Sequence, residues 1–413
     1  MKSSWIAFSL ACIGLLSVGS FPLQAQSTMV SPKTADTLST QPASIKTIKI
    51  ALFAPLYLDS AFDKNASYRY AAKQFPKFLV PGLEFYEGAL LALDSLNKEG
   101  ADIELIVFDT KAANKTIGEQ LSSPACQELD LILTYCSAIE LKYFADHGVE
   151  RKIPVVNINL PNDGGVSKNP FLVLLNSTLS SQCHHIYTFI RNRFAKQSLV
   201  VFQKKGVLES RIRSFIEEAA RKKGGTPPAI KFVELSDSVT SQQLIPYLDT
   251  AKTTLCWIGS LDENFGKRIS LQLVGLAKQR YKLTVMGMPT WDGLKDFTKP
   301  EYRGADLLYC TPFYTPRTDS VSLGIESFFL NQLYARPSDM VLRGYEAVWR
   351  FSKLLMRYQK EITFHLGSKE FNLFRELDIQ PVLTSGQPAT IQYYENKKLY
   401  YLKWQDGFLK PVN

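Results

Sequence analysis

Histidine is scarce in this 413-residue chain, with four in all, and none falls in an HExxH or other metal-ligand spacing. The six cysteines are irregularly spaced and form no CxxC pair, which removes the zinc ribbons and thioredoxin-type redox motifs. There is no glycine loop of the dinucleotide or Walker kind and no GxSxG elbow. Nucleotide chemistry and serine hydrolysis therefore lack their usual scaffolds. Adjacent carboxylates such as Glu217–Glu218 point in different directions on a helix and cannot act on one bond. After the first residues no apolar run approaches the roughly 18 residues of a membrane-spanning helix. Long charge runs are missing too. The net charge of +9 is spread along the chain, and Arg221 to Lys223 reads as a helix C-terminus rather than a nucleic-acid patch.

What is present starts with an address. Lys2 precedes an apolar run from Trp5 to Val18, and small Ala25 in "LQAQ" marks a cleavage point. The run is too short and too early to span a bilayer, so residues 1–25 read as a signal peptide leading to the periplasm. Cys12 has too little apolar sequence before it for lipoprotein processing. Residues 26–46 are rich in Ser, Thr, Pro and Ala without periodicity and read as a disordered spacer. The remainder is long enough for two domains, and 45% hydrophobic residues supply two cores. Of the five later cysteines, Cys126 and Cys136 are the pair that could bridge, although an odd count argues against a disulfide framework.

From Ile48 onward, strands and helices alternate. "IKIALFAPL" is a nearly continuous apolar run, as in strands buried on both faces. The helix after it repeats Phe85, Ala89, Ala92 and Leu96 on one stripe and stops at Gly100. "IELIVFD", "LDLILTY", "IPVVNIN" and "NPFLVLL" follow as strands, with a helix capped by Ser137 among them. The pattern restarts at "SLVVFQ" and runs through "AIKFVEL", "TTLCWIG", "YKLTVMGM" and "ADLLYCTPFY". Such alternation implies right-handed crossovers and parallel sheets. Two helices then cover Ser320 to Tyr334 and Met340 to Tyr358. The tail "ATIQYYENKKLYYLKWQDGFLKPV" has period two, and "EN" with "KK" and "DG" read as turns of an antiparallel hairpin or meander.

In this order, "IKIALFAPLYLD", "GLEFYEGALLALDSLNKEG", "IELIVFDT", "LTYCSA", "VMGMPTW" and "ARPSDMVLRGYEAV" resemble the type I periplasmic solute-binding proteins. This is the leucine-binding-protein-like family, and the closing "YYENKKLYYLKWQDG" is similar to a branch common in Bacteroidota. The resemblance implies an α/β chain of two Rossmann-like lobes, each a doubly wound parallel sheet, joined by a three-strand hinge. Lobe 1 would span 47–177 plus 322–375, and lobe 2 would span 178–321 plus 376–413. The crossings would fall near Asn176 to Leu179, near Ser320 and near Leu373 to Asp378. Open α/β sheets bind ligands beyond the carboxyl ends of their strands, and two facing sheets make a cleft that closes about a hinge.

The strand ends then supply the candidates. Ser137 caps a helix whose N–H groups and dipole favour an anion, and the resemblance gives this strand end a hydroxyl that holds a ligand carboxylate. Asn159 and Asn162 offer amides, and Tyr57 and Tyr135 offer rings. On lobe 2, Gln203, Gly259, Thr290 and Trp291 fall at strand ends, with Trp291 set to supply contact area at the cleft mouth. Each has a plainer reading as cap, turn or packing residue. Amino-acid binders of this family hold the ligand ammonium with an aromatic and an acid on lobe 2. Here Val207 stands near the first position, Pro289 and Thr290 near the second, and Asp292 reads as a helix N-cap. A buried ammonium without a counter-charge is costly, so Lys204 and Lys205 suit an anionic ligand better.

The leading expectation is a periplasmic binding protein without catalysis or cofactor. It would take a small polar, carboxylate-bearing ligand for transport or sensing, with an ABC permease or an envelope protein as partner. The alternative is a cell-envelope interaction module of the same fold that acts on cell-wall proteins without a small ligand. The aromatic loop from Ala66 to Val80 favours the alternative, because a loop that long usually has a function.

Overall fold

A computed structural model describes residues 47–71, 74–222 and 229–412. The expected signal peptide (1–25) and spacer (26–46) lie outside the described residues. Five strands open the chain: β1 (Ile48–Ala54), β2 (Ile103–Asp109), β3 (Leu131–Thr134), β4 (Val155–Asn157) and β5 (Leu172–Leu174). Five more repeat the arrangement: β6 (Ser198–Lys204), β7 (Ile230–Leu235), β8 (Thr254–Ile258), β9 (Leu283–Met286) and β10 (Leu307–Thr311). The last four are β11 (Ile379–Leu383), β12 (Ile391–Asn396), β13 (Tyr400–Gln405) and β14 (Phe408–Pro411).

They form two seven-stranded sheets, ordered β2-β1-β3-β4-β5-β12-β11 and β7-β6-β8-β9-β10-β13-β14. Counted from its own first strand, each sheet has the same doubly wound order. Pairing is parallel except at β11–β12, β10–β13 and β13–β14. Every residue of β3 and β8 is buried, because helices cover both faces of each sheet. On the first sheet, helices Val80–Lys98 and Asp339–Tyr358 share one core. Helix Ala138–Arg151 packs Leu141 and Phe144 into the other. On the second sheet, helix Glu263–Gln279 covers one face, and helices Leu179–Arg193 and Val207–Lys222 cover the opposite face.

The tail departs from the expected hairpin. β12 pairs with β5 and β11, whereas β13 pairs with β10 and β14, so the two aromatic strands extend different sheets. Only the second turn signal makes a hairpin, at Asp406 and Gly407, both with positive φ. The residues read as the first turn carry the chain between sheets. Glu395 and Asn396 are buried there, with Asn396 Nδ2 donating to Leu175 O (3.2 Å) and Ser177 Oγ donating to Asn396 O (2.6 Å). The crossings therefore lie at 175–178, 312–319 and 397–399. The expected third crossing at 373–378 is corrected. So is the placing of 376–396 in lobe 2, since β11 and β12 belong to the first sheet. The segment expected as one helix over Ser320 to Tyr334 divides into an α-helix, Ser320–Phe328, and a π-helical turn, Phe329–Leu333. Cys126, Cys136, Cys183, Cys256 and Cys310 are buried and free, so no Cys126–Cys136 bridge forms.

Candidate functional site

The carboxyl ends of both sheets contribute to one cavity of about 920 Å³. Leu160, Pro161, Asn162 and Asp163 after β4, and Tyr393 on β12, line it from lobe 1. Leu208, Arg211, Phe215 and Leu261, with Pro289, Thr290, Asp292 and Gly293 after β9, line it from lobe 2. The first two crossings add Asn176, Thr178, Pro312 and Phe313, and the end of β10 adds Thr311. Asp339 and Arg343, in the first turns of helix Asp339–Tyr358, complete the lobe 1 wall.

Of the sequence candidates, Asn162 and Thr290 line this cavity. The others do not line it, and around Tyr57, Ser137 and Asn159 the protein's own groups occupy the strand ends. Asp109 accepts N–H bonds from Leu56 (3.0 Å), Tyr57 (3.1 Å) and Leu58 (2.8 Å). That carboxylate holds Tyr57 in the left-handed region (φ 54), a conformation that is costly for a side-chain-bearing residue. The Tyr57 ring then meets Phe78 edge-on at 5.0 Å. Tyr135 is half-buried with its ring against Phe85, and burial pushes its hydroxyl pKa up. Asn159 turns inward, accepting from Cys136 N (3.1 Å) and donating to Cys136 O (3.2 Å).

Ser137 caps its helix as expected, but the carboxylate there belongs to the protein. Ser137 N–H donates to Glu140 Oε2 at 2.7 Å, and Lys111 Nζ reaches Glu140 Oε1 at 2.5 Å. Burial opposes ionisation of Glu140, yet Lys111 and Ser137 outweigh it and hold the carboxyl below its ordinary range.

On lobe 2, Trp291 is a core residue and not a ring at the cleft mouth. It is fully buried, 4.9 Å from Phe297, and so close to β9 that a Cβ on Gly287 would lie 2.1 Å from its ring. The chain position past β9 was right, but packing turned the ring inward. Gln203 is buried at the end of β6, and Gly259 packs against Val201. Lys204 is held by Asp262 (2.7 Å) and Asp237 (3.3 Å) and does not line the cavity.

Asp292 corrects a further expectation. It lies inside the short 3-10 helix Pro289–Gly293 and not at a cap, and it lines the cavity. Thr311 Oγ1 donates to it at 2.9 Å. The cleft walls around it raise its pKa, Asp339 adds to the rise and Arg343 opposes it. An acid is therefore present where the sequence placed Pro289 and Thr290.

Sequence reasoning also missed the lobe 1 wall. Arg343 Nε donates to Asp339 Oδ2 at 2.5 Å, and its guanidinium lies 3.4 Å over the Phe313 ring. The i, i+4 spacing of Asp339 and Arg343 just past the Ser338 cap was the available signal. Arg211, the cation of the lobe 2 wall, is exposed beside Phe215.

No family model matches the sequence, and no curated protein matches it. Solved structures do match. A protein described as a branched-chain amino acid ABC transporter from Rhodospirillum rubrum has 14% identity and a TM-score of 0.63, covering 89% of this chain and 100% of its own. The fold is that of the type I periplasmic binding proteins. The Desulfitobacterium hafniense substrate-binding protein solved with Leu has 13% identity and a TM-score of 0.54, with 89% and 100% of the two chains covered. A solute-binding protein from R. palustris solved with benzoate has 13% identity and a TM-score of 0.50, with 89% and 96% covered. The last two are described as substrate- or solute-binding proteins of ABC transporters. No helix among the described residues is long and apolar enough to cross a membrane.

Proposed function

We propose that this chain is a periplasmic solute-binding protein that captures a small polar, carboxylate-bearing ligand between its lobes for transport or sensing, without catalysis. The observation that carries this reading is a cavity whose walls come from both sheets and to which two crossings contribute. A ligand in such a space touches both lobes at once, so it favours the arrangement in which they are close. Arg343 and Arg211 face the cavity from opposite lobes and suit an anionic group. Asp292 supplies the counter-charge that an ammonium on the same ligand would need, which restores amino acids as candidates. The relatives solved with Leu and benzoate bind carboxylates and support the same choice of probes.

A thermal-shift screen of the chain against carboxylates, peptides and sugars tests the reading, because a ligand that binds only the folded form raises the midpoint. A second reading, a cell-envelope module acting on cell-wall proteins, draws on the exposed Leu58, Phe75 and Phe78 around the aromatic loop. It predicts no hit in the screen and co-purification with cell-wall proteins.

A further inference from the structure

We propose that Arg343, clamped between Asp339 and Phe313, is the seat of the ligand's carboxylate, in place of the helix terminus at Ser137. This rests on the capture reading above and adds the residue that reads the ligand's charge. The terminus at Ser137 already holds an anion. Glu140 accepts the Ser137 N–H at 2.7 Å and is itself paired with Lys111 at 2.5 Å. A ligand carboxylate placed there would meet that fixed negative charge and would have to displace it.

Arg343 is also paired with a carboxylate, Asp339, but only through Nε, and it keeps an unused edge on the cavity wall. Its Nε is engaged by Asp339 and its flat face by Phe313, a nearly buried ring on the second crossing. The two contacts hold the guanidinium in one plane, so little rotamer freedom remains to be lost on binding. Nη1 and Nη2 have no acceptor among the described residues, and the side chain retains 17% exposure on the cavity wall. That edge is the one that accepts a carboxylate through two parallel N–H bonds. Asp339 does not cancel the charge fully, since Arg375 Nη1 lies 3.8 Å from its other oxygen and shares it.

The other cations are less suited. Lys111 is spent on Glu140 and Lys204 on Asp262 and Asp237. Arg375 has no side-chain exposure and lies 2.9 Å from Glu346 Oε2. Arg211 faces the cavity with no ion pair among the described residues, but it is exposed and nothing fixes its plane. Arg343 is therefore the cavity cation that is both oriented and open.

The test compares acids with their amides. Leucine, benzoate and succinate, each beside its amide, are titrated by calorimetry against wild type, Arg343→Gln, Arg343→Lys and Ser137→Ala. The expected result is that at least one acid binds wild type and its amide binds about tenfold more weakly or worse, as loss of a charged hydrogen-bonded pair requires. Arg343→Gln should then bind that acid as poorly as the amide, Arg343→Lys should recover part of the loss, and Ser137→Ala should stay within about threefold of wild type. Arg343→Lys keeps the charge and most of the stem, so it reports on the seat even if the glutamine variant folds poorly. The proposal is overturned if Arg343→Gln binds the acid like wild type, if Ser137→Ala abolishes binding, or if acids and amides bind alike. A neutral sugar or peptide that binds while no acid does would leave capture standing and remove Arg343 from it. Absence of binding by every probe would remove both.

Discussion

Replacing Gly88 by alanine probes how the lobe 1 wall is positioned. Helices Val80–Lys98 and Asp339–Tyr358 touch backbone to backbone through a reciprocal pair of glycines. A Cβ on Gly88 would lie 2.0 Å from Val341 O, and one on Gly344 would lie 2.2 Å from Phe85 O. A carbon normally stays about 3.3 Å from a carbonyl oxygen, so the helices must separate by roughly 1 Å. No side-chain rotation relieves a clash with a carbonyl. Overpacking costs about 1–3 kcal/mol, and this contact belongs at the upper end. Alanine returns about 1 kcal/mol through helix propensity. The net expectation is a loss of about 2 kcal/mol, read as a lower urea midpoint. The same separation would loosen the Ser338–Glu84 bond (2.7 Å) and move Asp339 and Arg343, so ligand affinity should fall as well. Gly275, in the interior of helix Glu263–Gln279, is the control: a Cβ there meets nothing within 4 Å. Gly275→Ala should leave stability unchanged or raise it by up to about 1 kcal/mol. If Gly88→Ala melts at the wild-type midpoint, or behaves like the control, the close packing of these helices is not what sets the wall.

Three further outcomes follow from the same contacts. Trp291→Ala empties a fully buried site and should cost about 3–5 kcal/mol in urea unfolding, whereas a ring used only for ligand contact would cost under about 1 kcal/mol. Glu395→Ala removes the buried acceptor of Thr178 N (2.5 Å), Ser181 Oγ (3.0 Å) and Lys397, and should cost about 3 kcal/mol, with a wild-type midpoint counting against a cross-tied hinge. Burial, with Glu84 adding to it, pushes the Glu87 carboxyl from 4.5 up to about 7. The folded state then binds the extra proton between those values, so stability falls as pH rises through that window, by on the order of 3 kcal/mol at most. Glu87→Gln should flatten this part of the pH–stability curve, and an unchanged slope would show that Glu87 titrates normally.

The sheets were legible because strands buried on both faces must be apolar along their whole length, as β3 and β8 are. Strand ends were therefore found, but the direction of each side chain beyond them was not. Trp291 shows why: a wide ring one turn past β9 points outward or inward according to whether Gly287 leaves room for it. The third crossing was missed for a related reason. Polar residues mark turns in a sequence, yet Glu395 and Asn396 are polar because they tie two crossings together from a buried position. Ser137 was identified correctly as a cap, but its partner Glu140, three residues on, which accepts the Ser137 N–H, was not read as part of that terminus. Arg343 escaped notice because it lies on a helix far along the chain, and only the packing of that helix against Val80–Lys98 carries it to the cleft wall.

Hydrogen exchange with and without a saturating ligand tests the two-lobe grip most directly. The account predicts that one ligand slows exchange together in 160–163 on lobe 1 and in 179–182, 208–215 and 289–293 on lobe 2. Protection confined to a single lobe, or a ligand that raises the melting point without slowing exchange in either wall, would contradict it.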